Sequence, residues 1–215
     1  LAAVGQTVAH VAHEIKNPLM IIGGFSYQIK KALTDPKTIQ KFEMISDEIA
    51  RLEKLVANLG DFTKEYELMK RRADVNSVIK DVLRIMVEVY SSERYDFEAN
   101  LSPDIGEINC DPDKLKQVFT NVITNGIEAM VDGGTINITS KKRLGGIEIH
   151  ISDNGIGINE EDLLHIFEPF YTTRERGAGL GLSISYKIVE AHKGEIWAVS
   201  MPGEGTTFVI KLPSI

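Results

Sequence analysis

The chain has 215 residues, of which 43% are hydrophobic and 26% are charged, a composition typical of globular proteins. Its formal net charge of −7 argues against nonspecific nucleic-acid binding, which requires a basic surface. A single cysteine excludes an internal disulfide and a cysteine-based zinc site, and it fits a reducing compartment, so we expect a cytoplasmic location.

The sequence contains no apolar run of the roughly 18 residues that a membrane-spanning helix needs. It begins at Leu1 within a helical pattern. We therefore expect a fragment of a longer protein, with any membrane anchor in the missing upstream part and no membrane contact in the fragment itself.

Two helical patterns occupy residues 1–72. The first is expected to run to about Leu33, with Pro18 removing one of its hydrogen bonds and favouring a bend. Its apolar residues recur at spacings of three and four: Val4, Val8, Val11, Ile15, Leu19 and Ile22. The second helix is expected to end at Lys70-Arg71-Arg72, where cations suit the C-terminal dipole. It carries a heptad seam: Phe42, Ile45, Ile49, Leu52, Val56 and Leu59.

These patterns predict an all-α antiparallel helical hairpin as the first domain, residues 1–72. A single hairpin buries apolar surface on one side only, so the simplest cover is a second copy of the chain. The expected assembly is a homodimer with a four-helix bundle. The alternative is that the hairpin packs on the remainder of its own chain.

His13 is the first candidate functional residue. It lies two residues from Val11 and from Ile15, off the apolar stripe and toward water. Glu14 is adjacent, and Asn17 follows one helical turn later on the same face. An unperturbed histidine has a pKa of about 6.5, so this imidazole is mostly neutral at pH 7 and suits a nucleophile or a general base. The alternative is an ordinary surface histidine.

Residues 73–215 predict a second domain with a different pattern. Helices are expected at 75–90, from Pro112 to about Met130, and at 180–192. Strands are expected at 95–101, 135–140, 147–152, 195–200 and 207–212. Because strands pair without a helix between each, the expected fold is an α+β two-layer sandwich, with helices on one face of a largely antiparallel sheet.

Two polar motifs in this domain have the character of a ligand site. Asn121 and Asn125 are i and i+4 neighbours on a predicted helix, and a neutral amide oxygen is a hard ligand that suits Mg²⁺. Asp153 follows a strand and precedes Gly155 and Gly157. A carboxylate there can accept a hydrogen bond from an exocyclic amine such as that of adenine, whereas guanine presents a carbonyl. The alternatives are polar helix surface and an ordinary Asp-Asn-Gly turn.

A glycine-rich loop precedes the helix that is expected to start near Leu180. Backbone amides of such a loop, at a helix N-terminus, form a phosphate site. Its residues are Gly177, Gly179, Leu180, Gly181 and Leu182. Arg174 and Arg176 lie just upstream as candidate charge clamps, and the segment from Phe167 through Phe170 to Gly177 has the character of a lid.

The order of these motifs closely resembles the transmitter core of two-component sensor histidine kinases over nearly all 215 residues. The matching motifs are His-Glu-x-x-Asn-Pro-Leu, Asn-x₃-Asn, Asp-x-Gly-x-Gly, Phe-x-Pro-Phe, Gly-x-Gly-x-Gly-Leu and a closing Gly-Glu-Gly-Thr-Thr-Phe. The resemblance implies a dimerisation and phosphotransfer hairpin followed by a Bergerat-type ATP-binding domain, with ATP and Mg²⁺ as ligands. It also implies a response-regulator receiver domain as a partner.

By this resemblance, His13 is the phosphoacceptor and Glu14 the base that takes its proton. Asn125 is the Mg²⁺ ligand, Asn121 its partner in the metal and phosphate shell, and Asp153 the adenine contact. The spacing of Asn17 from His13 also resembles relatives that dephosphorylate their regulator.

The sequence departs from the family in two places. Many relatives carry Lys at the position of Glu128, so phosphate charge must be met by Mg²⁺ and by Arg174 and Arg176. Gly126 stands where relatives often carry Ala, which is expected to loosen that helix slightly.

Two other readings stay open at this level. A conformational ATPase, as in type II topoisomerases, would keep the nucleotide site, although such enzymes typically carry an acidic residue where Asn121 stands. A dimeric scaffold would bind ATP or a regulator without turnover.

Overall fold

The computed structural model describes residues 2–63, 67–90, 94–174 and 177–214 of the chain. Within the first of these ranges, side chains are described for residues 15–53, 55–57, 59 and 60. The chain divides into two compact units, Leu1–Glu65 and Tyr66–Ile215. In the described residues, no helix has both the length and the apolar character needed to cross a membrane.

The first unit is a hairpin of two helices, α1 at Ala2–Ala32 and α2 at Pro36–Thr63. Helix α1 continues through Pro18. Leu19 packs with Val56 in the interior, and Gly23 allows a close approach of the helices, since a Cβ there would lie 3.4 Å from Cγ2 of Ile49. The hairpin predicted from the heptad spacing is therefore confirmed.

The predicted end of the second helix is wrong. Helix α2 ends at Thr63, and Arg71 and Arg72 lie instead in a short strand, β1 (Arg71–Asp74), which pairs antiparallel with β3 (Glu107–Cys110). These arginines therefore belong to the second unit, and the division between the units falls before the predicted boundary at residue 72.

The second unit contains helices and strands in a mixed order. After β1, the elements up to the middle of the unit are α3 (Val75–Tyr90), β2 (Tyr95–Leu101), a 3₁₀ turn (Pro103–Ile105), β3 and α4 (Pro112–Ala129). The remaining elements are β4 (Gly134–Arg143), β5 (Gly146–Asp153), α5 (Glu160–Leu163), α6 (Gly181–Ala191), β6 (Glu195–Met201) and β7 (Gly205–Pro213).

The main sheet has five strands in the order β2-β4-β5-β7-β6. Only the pairing of β2 with β4 is parallel, so the sheet is largely antiparallel, as predicted. One face carries alternating apolar residues that the register aligns across strands, as with Ile138, Ile151 and Phe208. Helix α4 lies against β4 and β5, and α6 lies against β6. The two-layer α+β sandwich is confirmed.

The start of α4 is fixed by Asp111. Its Oδ1 accepts hydrogen bonds from the backbone N–H groups of Asp113 and Lys114, which caps the helix. Its own backbone N–H donates to Nε2 of buried His192 at 2.9 Å, just beyond the end of α6. Burial lowers the pKa of His192 and keeps the ring neutral, as an acceptor at Nε2 must be. The contact joins α4 to α6.

Candidate nucleotide-binding site

Asn121 lies on α4 and reaches the first residues of α6. Its Nδ2 donates to the backbone carbonyl of Gly181 at 3.1 Å and to Oγ of Ser185 at 3.3 Å. The side chain therefore sets the position of the N-terminus of α6, where a phosphate would meet backbone N–H groups.

Asn125 follows one turn later and contacts Arg174. Nη1 of Arg174 donates to Oδ1 of Asn125 at 3.3 Å, and Nη2 donates to the Asn125 backbone carbonyl at 2.9 Å. Nη1 also forms an ion pair with Oε2 of Glu128. The carboxamide oxygen predicted to bind Mg²⁺ thus already faces a cationic group.

Asp153 ends β5 in a partly buried position. Its Oδ1 accepts hydrogen bonds from the backbone N–H groups of Gly155 at 2.9 Å and Thr206 at 3.3 Å. Burial raises the pKa of this carboxyl, against the opposing effect of these two donors. Among the described residues, both backbone bonds fall on Oδ1, which leaves Oδ2 to accept from a ligand.

Gly126 explains how α4 comes so close to Asp153. A Cβ at this position would lie 2.8 Å from Cδ1 of Ile136 and 3.1 Å from Cβ of Asp153. The glycine therefore provides space between the helix and the end of β5, a role that the sequence analysis did not predict for it.

Gly155 and Gly157 serve the packing of the loop that follows Asp153. A Cβ on Gly155 would lie 2.7 Å from the carbonyl oxygen of Ala129, and one on Gly157 would lie 2.1 Å from that of Met201. Gly157 also has a φ of 70°. These glycines therefore allow other parts of the chain's own backbone to approach closely.

A hydrogen bond between Phe170 and Gly179 holds the predicted lid against the glycine-rich loop. The Phe170 N–H donates to the Gly179 carbonyl at 2.8 Å, and both residues have positive φ angles, 66° and 65°. A Cβ on Gly179 would lie 2.4 Å from the backbone carbon of Phe170. The Phe170 ring itself is 57% exposed. At the start of the lid, Phe167 contacts the rings of Tyr186 and Phe208 and anchors the segment.

The remaining residues of the predicted glycine loop differ in burial and in the space beside their Cα atoms. Leu180 is fully buried. A Cβ on Gly177 would lie 2.4 Å from Oγ1 of Thr172, within the lid. Gly181 has more room, because a Cβ there would meet Asn121 only at 3.8 Å. Gly181 and Leu182 form the first turn of α6, so they are the residues of this set best placed for a phosphate.

The predicted residues of the hairpin are described in part. His13 and Glu14 belong to α1, but their side chains lie outside the described residues. Asn17 is exposed on the same helix. Arg176 also lies outside the described residues.

The described side chains allow a test of the metal prediction. They include no group of three or more His, Cys, Asp or Glu residues that could hold a metal ion. The predicted Mg²⁺ ligand is instead a carboxamide oxygen, a hard ligand that Mg²⁺ accepts. Oδ1 of Asn125 already contacts a cationic group, the Arg174 guanidinium, so this residue fits a cation.

Sequence reasoning missed three features of the site: the ion pair between Glu128 and Arg174, the space at Gly126, and the donation from Thr206 to Asp153. Only Thr206 had a visible signal, since it lies in the closing Gly-Thr-Thr-Phe motif.

Comparisons with known proteins agree with this arrangement. Residues 3–65 match the His Kinase A (phospho-acceptor) domain family, and residues 110–215 match the histidine kinase-, DNA gyrase B- and HSP90-like ATPase family. The ATPase-family match assigns an ATP-binding domain to the second unit.

Among curated relatives, sporulation kinase E of Bacillus subtilis (strain 168) is 38% identical over 214 residues. The match covers 99% of this chain but only 29% of the relative, so the chain spans less than a third of that protein's length.

Two solved structures are also similar. The nucleotide-free catalytic domain of histidine kinase ThkA is 33% identical with a TM-score of 0.62, over 67% of this chain and 95% of that one. ThkA in complex with response regulator protein TrrA is 35% identical with a TM-score of 0.74, over 99% of this chain and 62% of that one. With both domain families matched in order, the chain belongs to the two-component histidine kinases, of which it represents the transmitter core.

Proposed function

We propose that this chain uses Mg²⁺-ATP to phosphorylate His13 and then passes the phosphoryl group to an aspartate of a response regulator. The observation that carries the proposal is the grouping of Asn121, Asn125 and Asp153 around α4 and the end of β5. This grouping occurs in a chain whose first helix contains His13 followed by Glu14.

In the nucleotide site, each group has a separate task. Oδ2 of Asp153 accepts a hydrogen bond from the exocyclic amine of adenine, whereas a guanine carbonyl in that place would face the carboxylate. Asn125 provides a carboxamide oxygen to Mg²⁺, and Asn121 holds the first turn of α6 for the phosphates. Bound Mg²⁺ neutralises phosphate charge during the transfer.

The transfer itself is a displacement at the γ-phosphorus. A neutral imidazole nitrogen of His13 forms the N–P bond, the bond from phosphorus to the bridging oxygen of ADP breaks, and Glu14 takes the proton from the imidazole. Because such a reaction requires mostly positioning and charge neutralisation, the protein needs no further covalent step of its own.

We assign dimerisation and phosphotransfer to the first unit, Leu1–Glu65, and ATP binding to the second, Tyr66–Ile215. The hairpin leaves large apolar side chains exposed on both helices, among them Ile21 and Phe25 of α1 and Ile45 of α2. A second hairpin would cover them in a four-helix bundle. Sedimentation equilibrium tests this assignment: a homodimer has twice the mass of the 23.9 kDa chain, whereas a monomer would refute it.

The regulator is proposed from chemistry and from a relative. Phosphohistidine is a reactive donor that a receiver aspartate can accept, and histidine kinase ThkA has been solved with response regulator protein TrrA. The kinase would belong to the reducing cytoplasm, where its free, buried Cys110 is stable.

Asn17 is the candidate for the reverse activity. It is exposed one helical turn after His13, where its amide can orient a water molecule against a phosphorylated regulator. We expect Asn17→Ala to slow dephosphorylation of a phosphorylated receiver domain at least tenfold while autophosphorylation stays within twofold. Unchanged dephosphorylation would remove Asn17 from this role.

The proposed reaction is tested with γ-labelled ATP and Mg²⁺. A histidine kinase acquires protein-bound label that is labile in acid and stable in alkali. A conformational ATPase releases labelled phosphate without labelling the protein, and a scaffold does neither.

A further inference from the structure

The ion pair between Glu128 and Arg174 joins the lid to the end of α4. Arg174 belongs to the lid, whereas Asn125 and Glu128 belong to the last two turns of the helix. One guanidinium thus contacts the Asn125 side chain, the Asn125 carbonyl and the Glu128 carboxylate. Through these contacts, the lid is attached directly to the predicted metal ligand.

The position favours a cation and disfavours an unpaired acid. The C-terminal end of a helix carries partial negative charge, so Arg174 is stabilised there, whereas Glu128 alone would be repelled. Glu128 lies in the last turn of α4, directly before its final residue, Ala129. Pairing with Arg174 accounts for an acidic side chain at this place.

The ion pair between Arg174 and Glu128 is weak enough to be broken when a ligand binds. The Arg174 and Glu128 side chains are 37% and 49% exposed, and ion pairs of this exposure contribute little to stability. A doubly charged metal ion with its phosphates would compete effectively for Oδ1 of Asn125.

We propose that Glu128 is a positioning residue that holds Arg174 on Asn125 in the nucleotide-free domain, so that binding of Mg²⁺-nucleotide replaces one cation by another and releases the lid arginine. The inference rests on the proposed role of Asn125 in binding Mg²⁺. On release, Arg174 becomes available to the phosphates, and Glu128 delays that release until the metal arrives.

The first test uses the protein without nucleotide or metal. Hydrogen exchange of the lid amides reports how firmly Arg174 holds the lid to α4. Two lid amides are protected by hydrogen bonds: the Phe170 N–H donates to the Gly179 carbonyl, and the Gly177 N–H donates to the Arg174 carbonyl. Glu128→Gln should speed exchange of these amides roughly two- to fivefold, the range expected for losing one partly exposed ion pair. In an Arg174→Gln background, the same substitution should have no effect.

The matched control is Glu190→Gln, which removes an exposed carboxylate from the far end of α6. It should leave lid exchange unchanged, and equal melting temperatures exclude general loosening of the fold. Lid exchange that is unchanged in Glu128→Gln, or that rises equally in the Arg174→Gln background, would overturn the proposal.

The second test compares ADP with Mg²⁺ and ADP with a chelator. If Glu128 acts through Arg174, Glu128→Gln strengthens binding of Mg²⁺-ADP roughly two- to fivefold and leaves metal-free ADP nearly unchanged. If Glu128 simply repelled phosphate, Glu128→Gln would strengthen binding of metal-free ADP more than binding of Mg²⁺-ADP, because metal-free ADP carries more negative charge. That result would overturn the proposal. Failure to label His13 would refute the proposed function. The hydrogen-exchange experiment would still show whether Glu128 holds Arg174 on Asn125.

Discussion

Replacing His13 with glutamine is expected to abolish labelling of the protein by γ-labelled ATP while leaving nucleotide affinity within twofold. Glutamine is polar and fits a helix surface, but its amide nitrogen has no free electron pair to attack phosphorus. The proposed nucleotide contacts all lie on the second unit, at Asn125, Asp153 and the start of α6. Phosphoryl transfer should therefore be lost without loss of ATP binding.

The matched control for this substitution is His10→Gln, one turn earlier on α1. It should keep at least half of the wild-type labelling. Labelling that persists in His13→Gln, or that is lost to the same extent in His10→Gln, would contradict the assignment of His13.

The second large effect is expected at Asp153, where Asn should weaken binding of ADP and ATP roughly 10- to 100-fold. The carboxylate accepts from two backbone N–H groups at Oδ1 and, in the proposal, from adenine at Oδ2. An amide can present an oxygen at only one of these places. Either orientation sets an NH₂ group against another donor, so one buried hydrogen bond is lost and a repulsive contact replaces it.

Isothermal titration with ADP measures this loss, and Asp96→Asn on the exposed part of β2 is the control for removing one carboxylate. The fluorescence of Trp197 on β6, the only tryptophan, verifies that the second unit stays folded. ADP affinity within twofold of wild type in a folded Asp153→Asn protein would remove Asp153 from the adenine site.

The main elements were predictable because their patterns are local. Helix α3 was predicted with the same bounds as it has in the structure, since its apolar residues, such as Val78, Val82 and Met86, follow helical spacing. The strands of the main sheet place an apolar residue at every second position, as in Ile147, Ile149 and Ile151. In both cases the spacing of apolar residues within the segment predicts which face is buried.

The errors occur where distant pairing decides the structure. Strand β1 has the sequence Arg-Arg-Ala-Asp, which carries no strand pattern, and it forms because β3 pairs with it from more than 30 residues away. The same pairing draws Arg71 and Arg72 out of the predicted helix end. The parallel pairing of β2 with β4 was likewise not visible in either strand alone.

The candidate site was predictable in its residues but less so in their contacts. Asn121 and Asn125 lie on α4, and Asp153 lies beside this helix at Gly126. The glycines at 155, 157 and 179 have the chain's own backbone close beside them, a contact that their spacing in the sequence does not reveal. The pairing of Arg174 with Glu128 joins residues 46 positions apart and depends on the lid conformation.

The most direct measurement is the identification of the residue that carries phosphate after incubation with Mg²⁺-ATP, by mass spectrometry at neutral to alkaline pH. We predict a single phosphohistidine at His13, which forms roughly 10- to 100-fold more slowly in the Asp153→Asn protein at ATP concentrations well below the wild-type Kd. Phosphate on any other residue, or phosphate on His13 that does not depend on Asp153, would contradict the account.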